Sequence, residues 1–164
     1  MERWGVATGR RGGGVGGGSG GTRSAYGPAV RSARGAAGAL ATGGRGAQVV
    51  GVRTLTPFDD ATVCAAVRST GRAVVIAEAP GFASVASEIQ ARVFEQCFEY
   101  LEAPVRRATG FDTPFASPKF EHWYLPDVDR VLDAVDSLHF AEVAACAPRS
   151  STCPIWVRGS RRRP

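Results

Sequence analysis

Two periods of apolar residues alternate along the middle of the chain. Residues 47–53 form a β-branched run of strand length, and 73–77 are apolar throughout, as in a strand buried on both faces. Between them Asp59 is placed as an N-cap, and Asp60 adds a carboxylate to the first turn of a helix. Val63, Ala66 and Val67 give that helix an inner face, and Gly71 suits its stop. Residues 84–101 predict the longest helix. Val85, Ile89, Val93, Cys97 and Leu101 recur every four residues, with Ala86, Phe94 and Phe98 beside them on the core side, while Glu88, Arg92, Glu95 and Glu99 take the wet side. Pro104 ends this helix, 104–108 read as a third strand, and a loop rich in Pro and aromatics covers 109–125. A last helix begins near Pro126 and buries Val128, Val131, Leu132, Val135 and Leu138.

This βαβα alternation implies an α/β domain with a mostly parallel sheet and helices on its faces. Its start is less regular. Val30, Ala33, Ala37 and Leu40 sit at helical spacing within 28–40, but Gly35 and Gly38 each cost about 1 kcal/mol relative to Ala. The strand expected before them, residues 22–26, holds neither Val nor Ile. Ten of the 21 glycines crowd residues 1–21, which bury too little to offset their ordering entropy, so 1–21 are expected to be disordered. Periodicity fades again after 140. The expected organisation is a globular domain over 22–140 and a disordered basic tail over 141–164.

The net charge of +5 divides unevenly. Seven Arg face one Glu in 1–47, and five Arg face one Glu in 141–164, but 48–140 hold eight basic and thirteen acidic residues. An acidic core argues against a folded nucleic-acid surface. Arg10-Arg11-Gly12-Gly13 is a single Arg/Gly cluster without interleaved aromatics, which keeps RNA binding a distant alternative. No apolar run approaches the roughly 18 residues of a membrane span, and neither a spanning helix nor a secretory leader is expected. Cys64 and Cys97 fall on inner helix positions as small hydrophobes. Cys146 and Cys153 have no metal-ligand spacing, so a reducing, cytoplasmic setting without a metal site is expected.

Candidate chemistry is sparse. Gly12-Gly13-Gly14-Val15-Gly16-Gly17 fits the dinucleotide fingerprint only because nearly every residue there is Gly, with no strand before it and no helix after it. His122 and His139 lack a ligand partner at i+3 or i+4 and read as structural or interface residues. Glu78 and Pro80 are more pointed. Sites in α/β sheets gather at the carboxyl ends of strands, and Glu78-Ala79-Pro80-Gly81 reads as a loop there; the plainer reading of Glu78 is a solvated acid. Asp127, Asp129, Asp133 and Asp136 crowd the last helix, either as a solvated face or as a docking patch for a basic partner.

Several motifs follow one another in a fixed order. They are Arg53-Thr54-Leu55-Thr56-Pro57-Phe58-Asp59, Thr70-Gly71-Arg72, Glu78-Ala79-Pro80, Ser87-Glu88-Ile89 and Leu101-Glu102-Ala103-Pro104-Val105. Thr109-Gly110-Phe111-Asp112-Thr113-Pro114-Phe115 and Tyr124-Leu125-Pro126-Asp127-Val128-Asp129-Arg130 complete the series. Together they resemble the transketolase C-terminal domain. More particularly, the stretch is similar to the beta subunit of thiamine-diphosphate-dependent 2-oxo acid dehydrogenases of the pyruvate and branched-chain types, over residues 25–138.

The resemblance implies a three-layer α/β/α unit with a mixed, mostly parallel five-stranded sheet, whose first edge strand is expected to be missing or degenerate in this chain. Such a unit makes subunit contacts and docks the decarboxylase onto the subunit-binding domain of a dihydrolipoyl acyltransferase core. It also implies an alpha subunit and a second beta subunit as partners. Thiamine diphosphate and magnesium are implied for the complete enzyme but not for the isolated chain, whose pyrimidine-binding domain is expected to be absent. Where the family often has His before the Glu, this chain has Ala77, and Ala83-Ser84 replace a glycine pair. The expected function is therefore that of a C-terminal beta-subunit fragment, inactive alone. The alternatives are a stand-alone, non-catalytic protein-binding module and an Arg/Gly-tailed RNA-binding protein.

Overall fold

In the computed structural model, which describes residues 13–15 and 20–144, the apolar runs become the middle of a five-stranded sheet. Its strands are β1 (Gly13–Val15), β2 (Thr22–Tyr26), β3 (Gln48–Val52), β4 (Ala73–Pro80) and β5 (Arg106–Gly110), in the order β1-β3-β2-β4-β5. β2 to β5 run parallel and β1 pairs antiparallel with β3, so the sheet is mixed. The helices are α1 (Ala29–Thr42) after β2, α2 (Asp60–Thr70) after β3 and α3 (Val85–Cys97) after β4. After β5 come α4 (Glu121–Tyr124) and α5 (Val128–Ala144).

Side chains alternate across the strands and split the core in two. Val50, Val52, Val75 and Ala77 pack with Val63, Val67, Ile89 and Val93 of α2 and α3. Ala25, Val49, Val74 and Ile76 pack with Ala33, Leu40, Val131, Val135 and Leu138 of α1 and α5. This is the expected α/β/α sandwich.

The local signals act as chemistry requires. Asp59 caps α2: Oδ1 accepts from the Thr62 N–H at 3.1 Å, and Oδ2 from the Thr62 hydroxyl at 2.7 Å. Gly71 closes α2 at φ +69°, and a Cβ there would also lie 2.8 Å from the Glu102 carboxyl carbon. Gly35 weakens α1, but a Cβ there would sit 2.8 Å from Val128 Cγ2. Its bare backbone is what lets the start of α5 approach.

Several expectations need correction. Gly13–Val15 lie within the stretch expected to be disordered, yet they pair with Gly51, Val50 and Val49. Strand pairing uses backbone groups, which glycine has in full, and the edge of β3 offers the partner. The edge strand is thus degenerate rather than missing. Residues 1–12, 16–19 and 145–164, most of the two segments expected to be disordered, lie outside the described residues. α5 runs on to Ala144, past the expected boundary at 140.

α3 ends at Cys97 and gives way to a 3-10 turn, Phe98–Tyr100, instead of staying helical to Leu101. Its buried line is Ala86, Ile89, Val93 and Cys97. Phe94 and Phe98, expected beside that line, are 54% and 63% exposed. Each follows a buried position by one residue, a turn of about 100°. The two rings instead meet edge to face at 5.0 Å. The third predicted strand also moves, from 104–108 to Arg106–Gly110.

Candidate functional site

β2 leads through α1 to β3 on one side, and β4 leads through α3 to β5 on the other, so the chain diverges at their carboxyl ends. In open α/β sheets such a switch point forms the ligand crevice. Tyr26 ends β2, while Glu78 and Pro80 lie at the end of β4. Glu78-Ala79-Pro80 is therefore strand, not the expected loop. The loop begins at Gly81, after a register irregularity between Ile76 and Pro80. Glu78 is half-buried. Burial, and then the Glu121 charge, pushes its carboxyl above the usual range; burial, and then the Glu78 charge, pushes the Tyr26 phenol up. Both shifts favour neutral forms at this edge.

Two loops stand over the same edge, each braced from outside. In the first, Ala83 adopts φ +49°, a conformation that favours glycine. The Phe82 N–H donates to Asp112 Oδ1 at 2.9 Å, Arg107 donates to the Gly81 carbonyl at 2.8 Å and to the Ser87 hydroxyl, and that hydroxyl donates to the same carbonyl at 3.2 Å. In the second loop Tyr124 is the buried hub. Its hydroxyl donates to the Phe111 carbonyl at 3.0 Å, and its ring meets Phe115 at 4.8 Å and Phe111 at 6.3 Å. The Arg130 guanidinium lies 4.4 Å over the Phe111 ring and donates to the carbonyls of Tyr124 and Thr109. Gly110 has no room for a side chain, since a Cβ would sit 2.6 Å from both the Tyr124 ring and the Glu78 carbonyl oxygen.

The product is a fixed platform that holds Phe82, Phe111, Phe115, Phe120 and Trp123 in solvent, with Phe82 82% and Trp123 72% exposed. Single exposed aromatics are ordinary, but five on the two loops that follow β4 and β5 are more apolar exposure than these loops need for folding. The sequence shows the aromatic loop without its role, and Phe82 is missed. The available signal is a large apolar side chain between Gly81 and Ala83, directly after a buried strand.

The four acids of the last helix are divided. Asp127 caps α5 by accepting from the Arg130 N–H at 2.9 Å, and Asp136 pairs with Arg45 at 2.8 Å. Asp129 and Asp133 are exposed, one turn apart. A groove of about 540 Å³ lies between α2 and β3, and its one lining carboxylate, Asp59, is committed to the α2 cap. Among the described residues no three His, Cys, Asp or Glu side chains come together in a group that could hold a metal ion. Also among the described residues, no helix is long and apolar enough to cross a membrane.

Fold and edge together define a doubly wound α/β/α domain that carries exposed aromatic side chains on the loops at its carboxyl edge. Residues 24–131 match the family described as transketolase, C-terminal domain, and the chain belongs to that family. It is 55% identical over 89 residues to the pyruvate dehydrogenase E1 component subunit beta of Leifsonia xyli. It is 43% identical over 89 residues to the 3-methyl-2-oxobutanoate dehydrogenase subunit beta of Mycobacterium tuberculosis. Each alignment covers 54% of this chain and 26% of the relative, so the chain spans about a quarter of the length of these curated relatives. A solved structure described as split gene transketolase, inactive beta4 tetramer, shares the fold with a TM-score of 0.64 at 26% identity, covering 78% of this chain and 41% of that one. The family expected from the ordered motifs is the one found.

Proposed function

We propose that this chain is the assembly part of a 2-oxo acid dehydrogenase beta subunit. It joins alpha and beta subunits and helps dock them to the dihydrolipoyl acyltransferase core of a cytoplasmic complex. The observation that carries this reading is the aromatic platform, held by Asp112, Arg107, Tyr124 and Arg130 in a chain of this family. Buried aromatic anchors supply most of the energy of protein interfaces. On this reading thiamine diphosphate and magnesium belong to the parts of the relatives that this chain does not match. Asp129 and Asp133 are rim charges that steer a basic subunit-binding domain toward α5.

The test mixes the full chain with the alpha subunit and the unmatched part of the beta subunit of the Leifsonia relative, and follows co-elution by size exclusion with light scattering. Complex formation is expected. Phe82→Asp combined with Trp123→Asp should weaken it by at least about tenfold with circular dichroism unchanged. A wild-type chain that stays alone at micromolar concentration overturns the reading. Asp129→Lys with Asp133→Lys should slow association with an acyltransferase subunit-binding domain at low salt, and the difference should fade as salt screens the rim.

A further inference from the structure

Two thiols lie together in the core beneath α2 and α3, away from the aromatic edge. Cys64, early in the second turn of α2, is 2% exposed; Cys97, the last residue of α3, is 1% exposed; both are free. The Cys97 thiol donates to the Cys64 carbonyl oxygen at 3.8 Å, and the Cys64 thiol donates to Gln96 Oε1, one residue before Cys97, at 3.6 Å, so the two cysteines are immediate neighbours across the helix pair. Asp60 of α2 already bridges to Arg92 and Gln96 of α3 at 3.0 and 3.1 Å, which fixes the two helices side by side at this point. We propose that Cys64 and Cys97 form a reversible redox pair, closed to a disulfide by hydrogen peroxide, that ties α2 to α3.

Position sets the order of events. Helix ends open more readily than helix middles. Cys97, where α3 gives way to the 3-10 turn, meets the oxidant first. Its sulfur attacks one peroxide oxygen, the S–O bond forms, the O–O bond breaks, and the departing hydroxide takes the thiol proton to leave as water. The Cys64 sulfur then attacks the sulfenic sulfur. The S–S bond forms, the S–O bond breaks, and the second hydroxide takes the Cys64 proton and leaves as water. Two thiols lose two electrons and the peroxide gains them. Burial, above all, pushes the Cys64 thiol up to about 12, and the same burial shields it from outside oxidants, so it meets only the sulfenic group formed beside it.

The experiment uses the full chain with Cys146→Ser and Cys153→Ser, so that only this pair reports. After hydrogen peroxide, intact mass should fall by about 2 Da, and peptide mapping should show one crosslink joining Cys64 to Cys97 that dithiothreitol reverses. The thermal midpoint should rise by about 5 °C or more. Adding Cys64→Ser should replace the crosslink with oxygen gained on Cys97. In the parent chain, oxygen gained on either thiol without a crosslink overturns the proposal. So do two thiols that remain free after a peroxide dose that oxidises the urea-unfolded chain.

Discussion

β2 and β4 lie side by side in the centre of the sheet and are equally buried, yet they arrive there from opposite compositions. The first five residues of β4, Ala73-Val74-Val75-Ile76-Ala77, are all 2% exposed or less, and burial of each larger aliphatic chain is worth about 1.5–3 kcal/mol. The first four residues of β2, Thr22-Arg23-Ser24-Ala25, are just as buried. Its polar groups are tolerated where a neighbour answers them. Thr22 shares a 2.7 Å hydrogen bond with Thr70, whose hydroxyl also lies 3.2 Å from the carbonyls of Ala66 and Arg72. Arg23 is answered poorly. Its Nη1 reaches the Gly21 carbonyl at 3.3 Å, and its Nε has no hydrogen-bond partner among the described residues. Burial, and then the charge of Arg45, pulls its guanidinium down to about 10. Backbone pairing on both sides therefore places a strand at the centre even when its composition argues against burial, and the cost concentrates in whichever side chain lacks a partner.

The sharpest way to break the comparison is from the apolar side. Ile76→Ala leaves a cavity under α1 and α5 and should lower unfolding free energy by about 3 kcal/mol, read as a fall in urea midpoint at unchanged slope. A loss below about 1 kcal/mol would show that this half of the core collapses around the gap. The polar side should respond in the opposite direction. Arg23 lies across from Val49 and Val74, on the α1 and α5 face, so Arg23→Leu continues an existing apolar surface. The variant should be more stable by about 1–3 kcal/mol. A lower urea midpoint would mean that the guanidinium is better satisfied than the 3.3 Å bond to the Gly21 carbonyl suggests.

The same contrast explains what the sequence reveals. β4, the Asp59 cap and the Gly71 stop are local features, and each is readable within a few residues. β2 is readable in place but not in cause, because its support comes from Thr70, 48 residues away. β1 is invisible, since a Gly-Gly-Val segment carries no side-chain signal and is recruited by the edge of β3. At the candidate site, Glu78 and Pro80 are legible as lying near the carboxyl end of a buried strand, but their place within it is not, because an Ala-Pro pair reads as loop. The platform is not legible either, because Phe82 is held by Asp112 and Gly81 by Arg107, contacts 30 and 26 residues apart. Helical spacing groups the acids of α5 correctly but does not show that Asp136 is taken by Arg45, 91 residues away.

The smallest expected effect comes from the carboxyl ends of the same two strands, where Glu78 and Tyr26 are both held toward neutrality. A carboxyl whose folded pKa lies above its unfolded value binds its proton more tightly when folded. Its contribution is therefore most favourable below the unfolded value, declines as pH rises through the folded value, and leaves a charged side chain that destabilises at neutral pH. Because Glu78 is only half-buried, solvent screening keeps this destabilisation well under about 1 kcal/mol. Glu78→Gln removes the charge with little change of shape. The variant should melt slightly above the wild type at neutral pH, and the two should converge as pH falls below about 4. The Tyr26 phenol should also titrate closer to its ordinary range in the variant, because one of its two perturbing influences is gone. Melting curves across the carboxylate range and ultraviolet titration of the phenol read both effects. A variant that melts below the wild type at neutral pH would show that this edge supports the Glu78 charge, and the ends of β2 and β4 would then differ as much as their centres do.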